Sequence, residues 1–285
     1  TEIAQEHRLP CADLYGTGDW NADSLGNHRA VVKVDKTGDI VLAHIPWRRR
    51  DLNPEKKGII IIDAKTGQIV NNVLPLTINR EFGDILFQPV TIPGEYYIYY
   101  LKYFVRGRSN YPAIKYPAFV SRAEETWLTK AKSSAGNPGK LQVAEVVQFQ
   151  SIDQFNSFYP MEIIATREEV DKIVQKNSGS DYLLFPEGRE NSIRMTSDIP
   201  YKWINDGITN SFSGKALKGE YFTFQVGIYA AHSNIDNLDI EFSGLNEQGK
   251  KGIDAAAFTS FNTGGIDWEG RPFKKDFSVE NGKVQ

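Results

Sequence analysis

Gly94-Glu95-Tyr96-Tyr97-Ile98-Tyr99-Tyr100 is the stretch on which the fold turns, and Gly219-Glu220-Tyr221-Phe222-Thr223-Phe224-Gln225 repeats its pattern 125 residues later. Each follows a turn and opens a run of aromatic and β-branched side chains, which suit a half-buried pleated surface. One domain's length of chain separates them, so the two read as central strands of separate all-β domains. Around the first, the spacing Gly94-x-Tyr96-x-Ile98 is that of a tyrosine corner in immunoglobulin-like folds. Ile98 then stands where antibody domains carry a cysteine, and Trp47 stands where they carry a core tryptophan.

Further strands are expected over 30–34, 40–45, 58–63, 69–73, 84–87, 95–104 and 143–149, with 35–39 as the turn of a hairpin joining the first two. Ser121 with Glu124 fits a capping box opening a short helix through Trp127 and Leu128, and 130–140 reads as a flexible loop. Thr166 with Glu169 makes a second box, before a helix with Val170, Ile173 and Val174 on one face, ending near 177–179. In the second half, period-two alternation puts Phe222, Phe224, Val226 and Ile228 on one core-facing side. Strands are also expected over 238–242, 255–261 and 273–279. The expected fold is all-β: two β-sandwiches of immunoglobulin-like or Greek-key type. The first spans 1–165, with an irregular lead-in and a helix-loop insertion near 121–140. A helical connector spans 166–190 and the second sandwich 191–285.

The chain's 285 residues, 40% hydrophobic and 12% aromatic, fill two such cores. A net charge of −3, with 33 basic and 36 acidic residues spread throughout, leaves no basic footprint for nucleic acid. The single cysteine, Cys11, excludes an internal disulfide. No apolar run approaches the roughly 18 residues of a membrane span. Residues 279–285 read as strand, turn and the start of another strand, as in a chain cut from a longer protein.

The chemistry-bearing residues do not converge. Asp51, Glu81, Asp84, Glu187, Glu190, Asp267 and Glu269 are dispersed, whereas glycoside cleavage needs two carboxylates within about 5–10 Å. The histidines (His7, His28, His44, His232) are scattered, no nucleophile elbow is present, and no metal-ligand spacing occurs, so no cofactor or metal is expected. The sharpest cluster is Trp47-Arg48-Arg49-Arg50-Asp51. On an extended strand Arg48 and Arg50 share one face, with Trp47 and Arg49 on the other. Its ordinary reading is a core tryptophan with a solvated strand end. Its functional reading is a docking surface, because guanidinium forks bind carboxylates and sulfates bidentately. Trp20, Tyr111, Tyr116 and Trp268, near Gly or Pro, are the candidates for stacking on sugar rings.

Three stretches carry a family resemblance: Ile199-Pro200-Tyr201-Lys202-Trp203, Phe212-Ser213-Gly214-Lys215-Ala216 and Phe261-Asn262-Thr263-Gly264-Gly265, with the Gly219 stretch between. Together with Asn27-His28-Arg29-Ala30-Val31-Val32, Pro46 through Asp51 and Pro93-Gly94-Glu95-Tyr96-Tyr97, they resemble the N-terminal β-sandwich region of bacterial, Bacteroides-type proteins related to glycoside hydrolase family 123. The resemblance implies a C-terminal (β/α)8 barrel that cleaves β-linked N-acetylgalactosamine by a substrate-assisted mechanism using an adjacent Asp-Glu pair. No Asp-Glu dipeptide occurs here, so that barrel is expected beyond Gln285 and no catalytic residue is assigned. The expected role is to support or orient the barrel, in the periplasm, on the cell surface or outside the cell, with a signal peptide already removed. The alternative is a freestanding carbohydrate-binding or surface protein.

Overall fold

The structure is a computed structural model that describes residues 12–108, 110–247, 250–260, 264–266, 271–274, 279–280 and 283–284. The chain divides into two compact units, Thr1–Thr166 with Pro200–Asn205, and Arg167–Ile199 with Asp206–Gln285. Strands dominate, as the aromatic and β-branched runs require, and the fold is all-β.

The first unit is built on one eight-stranded sheet. Its elements are β1 (Tyr15–Thr17), α1 (Ala22–Leu25), β2 (His28–Val34), β3 (Val41–Ile45), β4 (Ile60–Asp63), β5 (Val73–Ile78), β6 (Gly83–Phe87), β7 (Gly94–Tyr99), β8 (Phe104–Arg108), β9 (Tyr111–Lys115), α2 (Glu125–Ala135) and β10 (Gln142–Ser151). The main sheet runs β4-β7-β2-β10-β3-β6-β5, with β1 parallel to the end of β10; β8 and β9 form a hairpin of their own. One core gathers residues from both halves of the sheet: Ala30, Val32, Val34, Ile61, Tyr96 and Ile98 from one, Val41, Ala43, Ile45, Val73, Ile85 and Phe87 from the other. The Phe87 and Tyr96 rings meet at 5.0 Å. The sheet therefore curls over its own apolar face, with β10 at the bend: it pairs parallel with β3 through 142–144 and antiparallel with β2 through 145–151, across a bulge between Val146 and Gln148. Bulges and sheet-switching strands are how such corners form.

The tyrosine corner is present. Tyr96 is fully buried, and its hydroxyl donates to the Thr91 carbonyl at 2.6 Å while accepting from the Thr91 amide at 2.8 Å. The Asp63 carboxylate secures the same corner, accepting from the amides of Lys65, Thr66 and Thr91. Burial alone would raise that carboxyl, but these bonds outweigh it and hold it below the ordinary range.

Several sequence expectations need correction. β2 and β3 are not a hairpin, because β10 lies between them and residues 35–40 carry the chain from one half of the sheet to the other. The strand expected over 95–104 ends at Tyr99, where Tyr100 and Leu101 leave the ladder and drop into the core. The strand expected over 69–73 starts instead at Val73, with Ile69 reduced to a single bridge to Ile62. Ser121 does not cap α2. The helix opens after Glu124, whose side chain makes no capping bond, and it continues through Ala135 because Trp127 and Ala131 are buried. Most of the stretch read as a loop before Gly136 is thus helix.

In the second unit, α3 (Arg167–Lys176) occupies the expected position, with Ile173 inward; Asn177 donates its side-chain amide to the Ile173 carbonyl where the helix stops. β11 (Tyr182–Gly188) pairs antiparallel with β12 (Phe224–Ala230). Leu183, Phe185 and Glu187 of β11 point to the buried side. Phe224 and Val226 share a face as the alternation requires, but that face is 40–43% exposed at these residues, not the core side. Short antiparallel pairs follow: β13 (Leu245–Glu247) with β14 (Lys250–Ile253), β15 (Gly264–Ile266) with β16 (Pro272–Lys274), and β17 (Val279–Glu280) with β18 (Lys283–Val284). Residues 238–242 form no strand, and 255–257 form a 3-10 turn capped by Asp254 rather than one.

Candidate functional site

The Trp47–Asp51 cluster forms a buried ionic knot in the first unit. Trp47 follows β3 into the core, where its indole lies over Gly83 and Nε1 donates to the Asn79 carbonyl at 2.8 Å. A Cβ at position 83 would stand 2.4 Å from that ring, so only glycine admits it. Arg48 then takes a left-handed backbone conformation, φ +46°. The segment therefore bends instead of continuing as a strand, and the alternating faces expected for the three arginines do not form.

At the bend the chain is held from two sides. The amides of Arg48 and Arg49 donate to the carbonyls of Glu81 and Arg80, and the Arg48 carbonyl accepts from the Ile164 amide. The Arg48 guanidinium lies 4.6 Å from the Tyr201 ring, at the start of the short helix Tyr201–Asp206. Arg49 is completely buried between the Trp47 and Tyr100 rings, at 4.9 and 5.0 Å. Its Nε and Nη2 grip Asp51 bidentately at 2.6 and 2.8 Å, and Nη2 also donates to the Tyr100 carbonyl. Lys57 Nζ also donates to Asp51 Oδ2, the oxygen that Arg49 Nη2 binds, at 2.5 Å. Arg50 turns outward to pair with the buried Glu162 at 2.9 Å, leaving 43% of its side chain exposed.

These contacts set the protonation states. Desolvation would raise the Asp51 carboxyl, but Arg49 and Lys57 outweigh it and hold it below the ordinary carboxylate range. His28, stacked on Phe158 at 3.9 Å, is lowered to about 4 by burial, against the opposing pull of its bond to the Asn156 carbonyl. Because a carbonyl only accepts, Nε2 carries the proton of this neutral ring. Burial also pushes the Tyr100 and Tyr116 phenols up. A general acid needs a raised carboxyl. Asp51 is held the opposite way, which suits it to holding buried cations.

The remaining sequence candidates fall elsewhere. Tyr116 joins the edge of the knot, with Lys57 4.3 Å from its ring. Trp20 belongs to a second cluster: its Nε1 donates to the Gly26 carbonyl, and the Arg29 guanidinium lies over both its ring, at 4.4 Å, and that of Tyr97, at 3.7 Å. Arg29 also donates to the Tyr99 hydroxyl and to Gln150. Tyr111 stands 84% exposed on β9. Trp268, Asp267 and Glu269 lie outside the described residues, as does Cys11. Of the other carboxylates, Asp84 pairs with His44 at 2.6 Å, Glu187 accepts from Asn191 and from the Gly188 amide, and Glu190 lies 3.7 Å from Arg189. Lys57, Glu162, His28, Tyr100 and Tyr201 complete the knot: Lys57 and Glu162 lie in no motif, and His28, Tyr100 and Tyr201 stand in stretches whose pattern marked the fold or the family rather than this cluster. Among the described residues, no group of three His, Cys, Asp or Glu could hold a metal ion, and no helix is long and apolar enough to cross a membrane.

The curled sheet with its tyrosine corner and buried knot defines an all-β domain. Residues 18–152 match the family model described as Glycoside hydrolase 123, N-terminal domain. The match starts just after β1 and ends one residue past β10, so it takes in nearly the whole sheet. This segment is similar to the N-terminal domain of glycoside hydrolase family 123, a likeness that points to a glycoside hydrolase-related protein. No curated protein and no solved structure matches the chain.

Proposed function

We propose that this chain is a non-catalytic region of a glycoside hydrolase-like protein, which supports or orients a C-terminal catalytic barrel. The observation that carries the reading is the agreement between the matched segment and the boundaries of the curled sheet. The chemistry of the knot supports it. Asp51 is clamped by Arg49 and Lys57 within its own loop, and Glu162 is held by Arg50, which ties together segments far apart in sequence. Within the arginine triplet Arg50 is the one that reaches solvent, so docking through this segment would run through its guanidinium.

The family resemblance extends the proposal to hydrolysis of β-linked N-acetylgalactosamine by the barrel, in the periplasm, at the cell surface or outside the cell. The test is hydrolysis of a chromogenic β-N-acetylgalactosaminide by the longer protein that carries this chain. Turnover is expected there, and its loss on removal of residues 18–152 would show that the barrel depends on this region. Full turnover without them would overturn the supporting role.

A further inference from the structure

Residues 96–123 hold five cations (Lys102, Arg106, Arg108, Lys115 and Arg122) and no acid, in a chain of net charge −3. Three of the five lie on the β8–β9 hairpin, and every residue of its two strands is exposed. The register pairs Phe104 with Lys115, Arg106 with Ala113 and Arg108 with Tyr111. Directly opposed residues share a face. One face therefore carries Phe104, Arg106, Arg108, Tyr111, Ala113 and Lys115, and the other is formed by Val105, Gly107, Pro112 and Ile114.

The first face presents one cation per rung, with rungs about 7 Å apart and an aromatic ring at either end. Tyr111 is 84% and Phe104 45% exposed. Gly107, at φ +97°, lets the strands approach closely, since a Cβ there would stand 2.7 Å from the Tyr111 carbonyl. Among the described residues Arg106, Arg108 and Lys115 have no ion-pair partner.

We propose that this face binds an anionic polysaccharide, with Arg106, Arg108 and Lys115 pairing with its sulfate or carboxylate groups and Tyr111 and Phe104 stacking on its sugar rings. Guanidinium forks match such groups bidentately, and the hairpin offers no carboxylate to compete. A basic-aromatic face also suits single-stranded nucleic acid. The choice of a glycan rests on the glycoside hydrolase relationship of the segment in which the hairpin lies.

The test is calorimetric titration of the 285-residue chain with dextran sulfate, unsulfated dextran, polyglutamate and a single-stranded oligonucleotide. Dextran sulfate is expected to bind most tightly at about 0.1 M salt and to weaken as salt screens the charges. Arg106→Ala/Arg108→Ala is expected to weaken it about tenfold. Tyr111→Ala is expected to weaken it about threefold, with the near-UV circular dichroism of both variants unchanged. No binding of dextran sulfate, or binding indifferent to these substitutions, would overturn the proposal. So would equal binding of polyglutamate, which assigns the face to an acidic protein, or tighter binding of the oligonucleotide. No hydrolysis is read, so the outcome is independent of whether the longer protein cleaves galactosaminides.

Discussion

Arg49 and Asp51 show how the local chemistry was concealed in the sequence. Three consecutive arginines after a tryptophan read as a solvated strand end, yet two are buried and each has a different partner. The left-handed turn at Arg48 decides this, and no residue type announces it. What was legible was Trp47 as a core residue and Tyr96 as a corner. An uncompensated buried guanidinium is costly, so Asp51→Asn is expected to destabilise the chain by about 3 kcal/mol. The urea midpoint measures this, and the double variant Arg49→Met/Asp51→Asn is expected to lose less than the single one. His28 makes a separate demand. Its folded value of about 4 lies below the unfolded 6.5, so the native state disfavours the imidazolium. The resulting stability is present above pH 6.5 and lost as pH falls toward 4, by about 3 kcal/mol in all. His28→Gln is expected to flatten the fall in melting temperature over that window, and an unchanged slope would remove His28 as its cause.

At the scale of elements, the strands with one buried side were readable and their partners were not. β2, β3, β4, β6, β7 and β10 stand close to where their apolar runs place them, because each must bury its residues in the shared core. The β2–β3 hairpin that the turn suggests does not form, because pairing is tertiary. A turn of the right composition joins the strands, but β10, more than a hundred residues downstream, takes the place between them. β8 and β9 leave no alternating apolar signature in the sequence, because neither of their faces is buried. α2 was cut short because a stretch of Ser, Gly and Asn resembles a loop, although Ala131 anchors the helix before it. The contact of β6 with the Trp47 ring gives this scale its test. Gly83→Ala would set a methyl 2.4 Å from the ring, and the crowding is expected to cost about 1–3 kcal/mol in urea unfolding. A neutral substitution would mean that Trp47 does not rest where the core places it.

For the whole molecule, the family relationship was legible through motifs in both halves, and the matched segment confirms it over 18–152. The proposed function rests on that relationship, since an all-β scaffold hosts many activities. Among the described residues of the first unit, the buried carboxylates hold structure: Asp63 secures the tyrosine corner and Glu162 pairs with Arg50. The proposed supporting role predicts that this chain cleaves no galactosaminide by itself. Its most direct test is incubation of the purified 285-residue chain alone with a chromogenic β-N-acetylgalactosaminide. The expected result is release of chromophore no faster than in buffer. Turnover that disappears when one of this chain's own carboxylates is replaced, with folding intact, would contradict the claim.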